Sequence, residues 1–353
     1  MLGDRRRHAV VGAAVCAVFA MLVPVGFIAP AAASGARPRT FASSWRFNQP
    51  TGVSSDGTHV WVTNFHGNGV TDLRASTGGL VKVLPGASYG FDHPLAISSN
   101  GAYVWVANYL GKSVTELNAA TGALVQVLNA PSFGFKDPSS VSSDGTHVWV
   151  TDPAANSVTE LNAATSKLIK VIKAASYRFD NPVAVSSDGT HVWVTNSVGN
   201  SVTELKAATG ALVKVIAGRR GEFFAPEAVS SDGTNVWVAN LAGNTVTELN
   251  AATGAFVRVR HAPQDGFDSP YAVSSDGKHV WVANFSGNSV TELNAVTSNL
   301  IKVIKAASYG FDNPSSVSSD GTHVWVTNEA GNSVTELKAA TGALVKVITG
   351  PGT

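Results

Sequence analysis

Residues 314–348 read PSSVSSDGTHVWVTNEAGNSVTELKAATGALVKVI and contain four short β-prone runs separated by turn sequences. Asp320-Gly321 is a hairpin signal, and the run that follows it, HVWVTN, is rich in β-branched and aromatic residues. We label the four runs strands a, b, c and d. They are predicted at 315–320, 323–328, 333–338 and 343–348. Short strands joined by turns of a few residues indicate an antiparallel meander.

This unit occurs seven times in tandem without insertion or deletion. Trp61 recurs every 44 residues through Trp325, and the same interval separates the copies of a Phe and of a Pro that begin at Phe47 and Pro50. Fixed-period repetition of a small β unit is typical of repeat architectures. The predicted divisions are an N-terminal segment 1–33, a linker 34–40, units 41–84, 85–128, 129–172, 173–216, 217–260, 261–304 and 305–348, and a tail 349–353.

Strand b is apolar on both faces, because Val324 and Val326 point one way and Trp325 points the other. Such a strand belongs to a sheet that is covered on both sides. Stacking the sheets face to face around an axis supplies that cover. An open solenoid would need polar capping repeats, and neither terminal unit is one. The sequence therefore predicts an all-β fold, a seven-bladed β-propeller with four antiparallel strands per blade.

The N-terminal segment is typical of an export signal. Arg5–Arg7 are basic, the stretch from His8 to Ala33 has no formally charged residue, and three alanines precede Ser34. The uncharged stretch is also long enough for a membrane anchor, which is the alternative. We expect a secreted or cell-envelope protein with no stable membrane insertion once the signal is cleaved.

The charge balance and the cysteine count of the chain exclude some classes of partner and of metal site. The 353 residues carry 25 Lys+Arg against 24 Asp+Glu, and only 14% are charged. This balance argues against a nucleic-acid partner, which requires a basic surface. A single Cys excludes an intramolecular disulfide framework and a cysteine zinc site. We predict no metal and no cofactor, and we expect a monomer.

The pattern P-x-x-V-S-S-D-G-T-H-V-W-V-T-N-x-x-G-N-S-V-T-E-L-N resembles the YVTN-type β-propeller repeat and its NHL-like relatives across residues 41–348. The streptogramin B lyases are similar seven-bladed propellers. That resemblance implies catalysis by a His just after the repeat Pro and a Glu at the end of strand b, with magnesium. The residues after the Pro are Thr51, Leu95, Ser139, Val183, Glu227, Tyr271 and Ser315. Strand b ends in Asn64, Asn108, Asp152, Asn196, Asn240, Asn284 and Asn328. We call a set of equivalent positions in the seven units a slot. Neither of these two slots holds the implied catalytic residue, so the resemblance identifies a fold rather than lyase chemistry.

One face of the predicted propeller varies between units. The a–b and c–d turns of the other face are nearly uniform, whereas the d–a and b–c connections carry large apolar and acidic residues that turn chemistry does not require. We interpret them as an aromatic-lined crescent near the mouth of the central channel, suited to sugar rings or extended peptides. Drift after duplication is the alternative. The candidate ligand-binding residues are Phe65, His66, His93, Tyr109, Phe224, Glu227, Leu241, Tyr271, Phe285 and Glu329.

Three further sets have structural interpretations. The Asn and Asp side chains that end strand b could hold water or a cation, but we expect them to adopt the unusual dihedrals before the turn and to bond their own backbone. Five His at the start of strand b, which could suggest a metal array, are expected to be structural. Acids on strand c and bases on strand d are expected to form exposed pairs on the outer strands.

Glu227 and Glu329 are the only acids in their slots and are the candidate general acid/base residues.

These observations favour an exported binding or interaction module whose ligand is a glycan, a peptide, a protein or a small molecule. The first alternative is a lyase-like enzyme acting at the channel mouth. The second is a structural protein of the cell envelope.

Overall fold

The computed structural model describes residues 47–218, 222–261 and 263–350, which form seven four-stranded antiparallel sheets. In each sheet the strands lie side by side in the order a-b-c-d, and all four come from one stretch of chain. The predicted fold class, a seven-bladed β-propeller, is confirmed. The predicted export signal and linker, and the last three residues of the predicted tail, lie outside the described residues.

The strand bounds repeat closely from blade to blade. The a strands are Pro50–Ser55, Pro94–Ser99, Ser140–Ser143, Pro182–Ser187, Pro226–Ser231, Pro270–Ser275 and Pro314–Ser319. The b strands are His59–Asn64, Tyr103–Asn108, His147–Asp152, His191–Asn196, Asn235–Asn240, His279–Asn284 and His323–Asn328. The c strands are Gly69–Arg74, Ser113–Asn118, Ser157–Asn162, Ser201–Lys206, Thr245–Asn250, Ser289–Asn294 and Ser333–Lys338. The d strands are Gly79–Pro85, Leu124–Leu128, Leu168–Ile172, Leu212–Ala217, Phe256–His261, Leu300–Ile304 and Leu344–Thr349.

In the described part of the chain, short helical turns lie in four of the d–a connections. They are one α-helical turn, Gly86–Tyr89, and three 3₁₀ turns, Pro131–Phe133, Ala175–Tyr177 and Ala307–Tyr309. Among the described residues, no helix has both the length and the apolar character that a bilayer crossing requires.

The core lies between blades rather than within them. Trp61 of the first blade packs with Val104 and Val106 of the second, and Trp325 of the last blade packs with Val60 and Val62 of the first. All seven strand-b indoles are fully buried. Burying about 200 Å² of indole contributes at most about 5 kcal/mol to the gross free energy of folding. The predicted opposition of tryptophan and valine on strand b is therefore what holds neighbouring blades together.

A belt of serine hydrogen bonds links the innermost a strands. The backbone N–H of Ser99 donates to Ser54 Oγ at 3.0 Å, and Ser99 Oγ donates to Asp56 Oδ2 at 2.8 Å. The same bonds close the ring between the last and first blades, where Ser55 donates to Ser318 Oγ at 3.1 Å and to Asp320 Oδ2 at 2.8 Å. The ring thus closes through side chains, without exchange of a strand.

The aspartates of this belt are partly buried and accept several hydrogen bonds. Burial raises the pKa of Asp188, but hydrogen bonds from the backbone of His191, from Ser231 Oγ and from the backbone of Thr190 outweigh it, so that the net pKa lies below its usual value. Asp144 and Asp276 behave alike. Each of these carboxylates therefore stabilises the fold while ionised, and that contribution is lost as the pH falls through its lowered folded-state pKa.

The expected pairing of strand-c acids with strand-d bases is confirmed, but the expectation that these pairs are exposed is wrong. The strand-c acids are buried: Glu160 is 1% exposed, and burial raises its pKa. Lys170 Nζ lies 3.4 Å from Glu160 Oε2 and also donates to the backbone carbonyl of Thr209 in the next blade. The c–d turn of the next blade covers the carboxylate, so each pair links two blades instead of facing solvent.

One position of this covering c–d turn holds Gly or Ser, and the choice depends on which strand-d residue of the preceding blade lies against it. A Cβ atom placed on Gly210 would lie 2.6 Å from Lys170 Cε, so a larger residue there requires the end of the lysine side chain to move. All five blades with a lysine at this slot are followed by a glycine turn, and the two exceptions, Gln126 and Arg258, are followed by Ser166 and Ser298. Ser166 Oγ donates to Glu116 Oε2 at 2.6 Å, beside the 2.8 Å bond from Gln126.

Truncating one interblade indole tests the source of cohesion. Trp193→Ala should lower the free energy of unfolding by about 3–5 kcal/mol, because it leaves a cavity against the next blade. Val198→Ala, at a side chain that is 52% exposed, is the control and should change it by less than about 0.5 kcal/mol. Urea denaturation followed by fluorescence measures both. Equal stability of the two variants would contradict the interblade core.

The matching of each strand-d residue with the c–d turn residue of the next blade predicts an energetic coupling between the two. Gly210→Ser alone should destabilise the fold by about 1–3 kcal/mol, because the new Cβ meets Lys170. Adding Lys170→Gln should recover about 1 kcal/mol or more, since the pair then matches Gln126 with Ser166. A double-mutant cycle in urea measures the coupling. Additive effects of the two substitutions would show that the pairing in the sequence has no energetic basis.

Candidate ligand-binding site at the channel mouth

Three slots in each blade build the rim of the channel: the residue before the repeat Pro, the residue after it and the residue after strand b. The first and third slots are joined by backbone, as Phe65 N–H donates to Gln49 O at 2.9 Å and Glu329 N–H donates to Asn313 O at 3.0 Å. The second slot lies on the innermost strand, where Thr51 Oγ1 donates to Leu95 O of the next blade at 3.1 Å. The three slots therefore meet at one end of the channel.

The slot before the proline is held in place by the preceding blade. His93 has a φ of 53°, in the left-handed region, and its N–H donates to Asn68 Oδ1 of the b–c turn one blade earlier at 2.7 Å. Ser269 and Asn244 repeat this contact at 2.7 Å. Rim residues are thus positioned by side chains of two blades.

One aromatic group lies on the first two blades. Phe65 meets His93 edge to face with ring centroids 4.8 Å apart, and it lies 6.4 Å from Tyr109. His66 is 5.4 Å from Phe65 and 6.1 Å from His93. The structure therefore brings together four of the candidate residues named from the sequence.

A second group lies on blades five to seven. The rings of Tyr271 and Phe285 are 5.5 Å apart, and Glu227 Oε2 is 3.5 Å from Ser197 Oγ. Burial raises the pKa of Glu227 to about 7, and the Ser197 hydrogen bond only partly opposes this. Burial also raises the pKa of Tyr271, and the charges of Glu227 and Glu329 raise it further. Tyr271 therefore lies near both carboxylates.

Gln49 joins the two groups across the closure of the ring. Its Nε2 donates to Glu329 Oε1 at 2.5 Å, and both residues line an open cavity of about 300 Å³ together with His66. The varied residues thus follow one another around the mouth from blade five to blade two. We call this set the mouth arc, and it consists of Glu227, Tyr271, Phe285, Glu329, Phe65, His66, His93 and Tyr109.

Two candidate residues lie apart from these contacts. Phe224 is 54% exposed in the d–a connection of blade five, and among the described residues no ring contact joins it to another aromatic side chain. Leu241 is partly buried after strand b of the same blade, and its N–H donates to Ala225 O at 2.9 Å.

The expectation for the asparagines that end strand b is wrong. Asn108 is buried, and its Nδ2 donates to Ser113 Oγ at 3.1 Å and to Thr115 Oγ1 at 2.9 Å, not to its own backbone. The left-handed residues are the asparagines of the following turn, such as Asn68 with φ 45°. The strand-b side chains therefore tie strand b to strand c within each blade.

Asp152, the only acid in that slot, has a separate explanation. The preceding turn carries Lys112 where the other blades have Asn, so the amide oxygen that would hold Asp137 is missing. The Asp152 carboxylate accepts the N–H groups of Lys136 at 2.5 Å and Asp137 at 3.2 Å instead. It also accepts that of Ala155 at 2.9 Å. Asp152 is thus a local structural replacement.

The strand-b histidines lie between a tryptophan and a strand-c acid. His147 is 5.9 Å from the Trp149 ring, and its Nε2 is 3.7 Å from Glu160 Oε1. His59 Nδ1 is 2.8 Å from Asp72 Oδ1. Within the part of the chain that the structure describes, no three His, Cys, Asp or Glu residues are grouped so that they could hold a metal ion.

Two residues at the mouth were missed from the sequence, Gln49 and Ser197, which contact Glu329 and Glu227. Both occupy the slots that vary in every blade, so the same comparison of copies could have identified them.

The closed ring of seven four-stranded sheets, with its variation concentrated at one channel mouth, defines this protein as a seven-bladed β-propeller. No family model and no curated protein matches the chain. Among solved structures it is similar to the hydrazine synthase of Kuenenia stuttgartiensis, with a TM-score of 0.68 and 20% identity over 87% of this chain and 100% of that one.

It is also similar to a catalytically inactive histidine-to-alanine variant of virginiamycin B lyase from Staphylococcus aureus with quinupristin, with a TM-score of 0.68 and 14% identity over 82% of this chain and 95% of that one. A streptogramin B lyase structure has a TM-score of 0.65 and 16% identity over 80% and 91%. These likenesses support the propeller fold expected from the YVTN and NHL-like resemblance.

The raised pKa of Glu227 predicts a pH-dependent effect of removing its charge. Because the folded-state pKa of about 7 exceeds the usual 4.5, protonated Glu227 favours the fold, and this contribution is lost as the pH rises through 7. Glu227→Gln should therefore raise the Tm relative to the parent by a few degrees at pH 8, and by much less at pH 5. Thermal unfolding at both pH values measures this. A difference independent of pH would show that Glu227 is not desolvated.

Proposed function

We propose that the chain is an exported, monomeric binding module that holds its ligand on the mouth arc. The observation that carries this proposal is the grouping of aromatic rings from consecutive blades at a surface where the copies differ. Rings such as Phe65 and Phe285 are only partly buried there, although the slot they share forms a stable backbone contact with small residues such as Ser197. Apolar rings at a rim suit contact with a ligand better than they suit solvent.

The composition of the arc limits the ligand to an amphipathic molecule. Ring faces favour the apolar faces of sugars or of peptide side chains, while the carboxylates of the arc and the amide of the adjoining Gln49 provide hydrogen-bond acceptors and donors. A glycan, a peptide and a small molecule all meet this description. The channel mouth of a rigid ring is a pre-formed concave site of the kind that binds such ligands.

A lyase- or hydrolase-like activity at the same mouth is the second candidate. Its support is the raised pKa of Glu227, which suits a general acid or base near neutral pH, together with the fold shared with the lyases. The slots implied for lyase catalysis hold other residues in this chain. Turnover of a bound ligand that is lost in Glu227→Ala would favour this activity over simple binding.

A ligand screen with an aromatic-deleted variant tests the binding proposal. The purified protein should bind members of a glycan or peptide array, and replacing Phe65, Tyr109 and Phe285 by Ala should abolish that binding, because stacking area is removed. The control replaces Val213, Phe256 and Val345 by Ala, since these are 40–46% exposed on the outer d strands. Unchanged binding by the mouth variant, or a silent array, would contradict the proposal.

A further inference from the structure

We infer that the mouth arc selects a ligand with an organic cation, a primary ammonium or guanidinium group, seated beside Tyr271 between Glu227 and Glu329. This inference rests on the proposed function, because it assigns ligand chemistry to the same site. It is carried by the charge of the rim, by the partners of the two acids and by the aromatic ring between them.

The rim is acidic and lacks permanent cations. The three rim slots of the seven blades contain Asp137, Glu227 and Glu329, and neither Lys nor Arg occurs in any of them. The other basic residues of the b–c and d–a connections lie outside these three slots; they are Lys112, Lys136, Lys173, Arg178, Arg219, Arg220 and Lys305. The rim slots of blades five to seven therefore contribute only negative charge.

The two glutamates have only neutral partners among the residues that the structure describes. Glu227 has the Ser197 hydroxyl at 3.5 Å, and Glu329 has the Gln49 amide at 2.5 Å. The buried acids of strand c are different, because Glu204, for example, has Lys214 Nζ at 3.7 Å. Most buried carboxylates of the described residues are paired with a base, whereas the two partly buried carboxylates at the mouth are not.

An external cation would complete this arrangement. Desolvating a carboxylate is costly unless an opposite charge accompanies it, so a neutral ligand that covered Glu227 would increase the cost, and a cation would offset it. The ring of Tyr271, 5.5 Å from that of Phe285, offers a π face on which ammonium and guanidinium groups are stabilised. Acids and ring therefore favour the same chemical class.

The protonation of Glu227 provides an independent sign. Its pKa of about 7 reflects burial without a counter-charge, and a bound cation would favour the carboxylate. Binding should therefore release a proton near neutral pH, and affinity should rise between pH 6 and pH 8. The groups that act on this acid are the Ser197 hydroxyl and the Tyr271 phenol. The Glu329 carboxyl also acts on Tyr271, and His66 lines the cavity beside Glu329.

The test uses small probes, so that it does not depend on finding the natural ligand. Butylammonium and butylguanidinium are titrated into the full chain, with 1-pentanol as the neutral isostere, while NMR follows the ring signals of Tyr271 and Phe285. We expect saturable shifts for the cations only. The double variant Glu227→Gln, Glu329→Gln should weaken cation binding about tenfold or more.

A matched control removes two exposed acids from the same type of connection. Asp180→Asn with Asp312→Asn changes the net charge equally and should leave cation binding within about twofold, because exposed charges act weakly. Absence of cation binding, equal binding of 1-pentanol, or retention of binding in the double glutamine variant would each overturn the inference. If array ligands still bound and were lost in the aromatic variant, the proposed function would stand without it.

Discussion

Each strand-b indole is buried by a different blade from the one that carries it. Trp105, for instance, packs with Val148 and Val150 of the following sheet, and the same contact runs around the ring to Trp325 against the first blade. The seven indole N–H groups are buried without hydrogen-bond partners, so packing must outweigh the cost of desolvating them. No blade has a core of its own, and closure gives every unit two neighbours.

This dependence on neighbours explains what could and could not be predicted from the sequence. Strands b and c of the last unit were predicted to the residue, because alternation and turn signals act within the unit. Strand a begins at Pro314 and strand d at Leu344, each one residue away from prediction. Burial of Glu336 was missed, because alternation shows which face of a sheet a side chain occupies but not what the next blade places over it.

For the candidate site, as for the fold, the sequence predicted features within each unit but not the contacts between blades. Comparison of the copies identified the slots that vary, because a position free of turn and packing constraints differs among them. The contacts between those slots were not predictable. Gln49 and Glu329 are 280 residues apart, and Ser197 and Glu227 are 30 apart, so no local pattern reports either pair. They follow only from the order of the blades and the closure of the ring.

Divergence within the repeats is therefore of two kinds. At the blade contacts, substitutions come in matched pairs, as with Gln126 and Ser166 or Lys112 and Asp152, because each residue is in contact with another blade or replaces a missing contact. At the mouth, Tyr271 and Leu95 occupy equivalent slots in the same backbone. Contacts between blades keep the scaffold residues alike in the seven copies, whereas the rim residues can differ from copy to copy.

Because every sheet is made from a single unit, the toroid can be assembled with any of the seven units first in the chain. The described backbone ends, Phe47 and Gly350, come together where the last sheet meets the first. A gene that began at a different copy would encode the same ring with its units rotated. Runs of neighbouring modules whose matched pairs stay together can therefore be copied as cassettes, each module bringing its own rim residues to a known place on the circle.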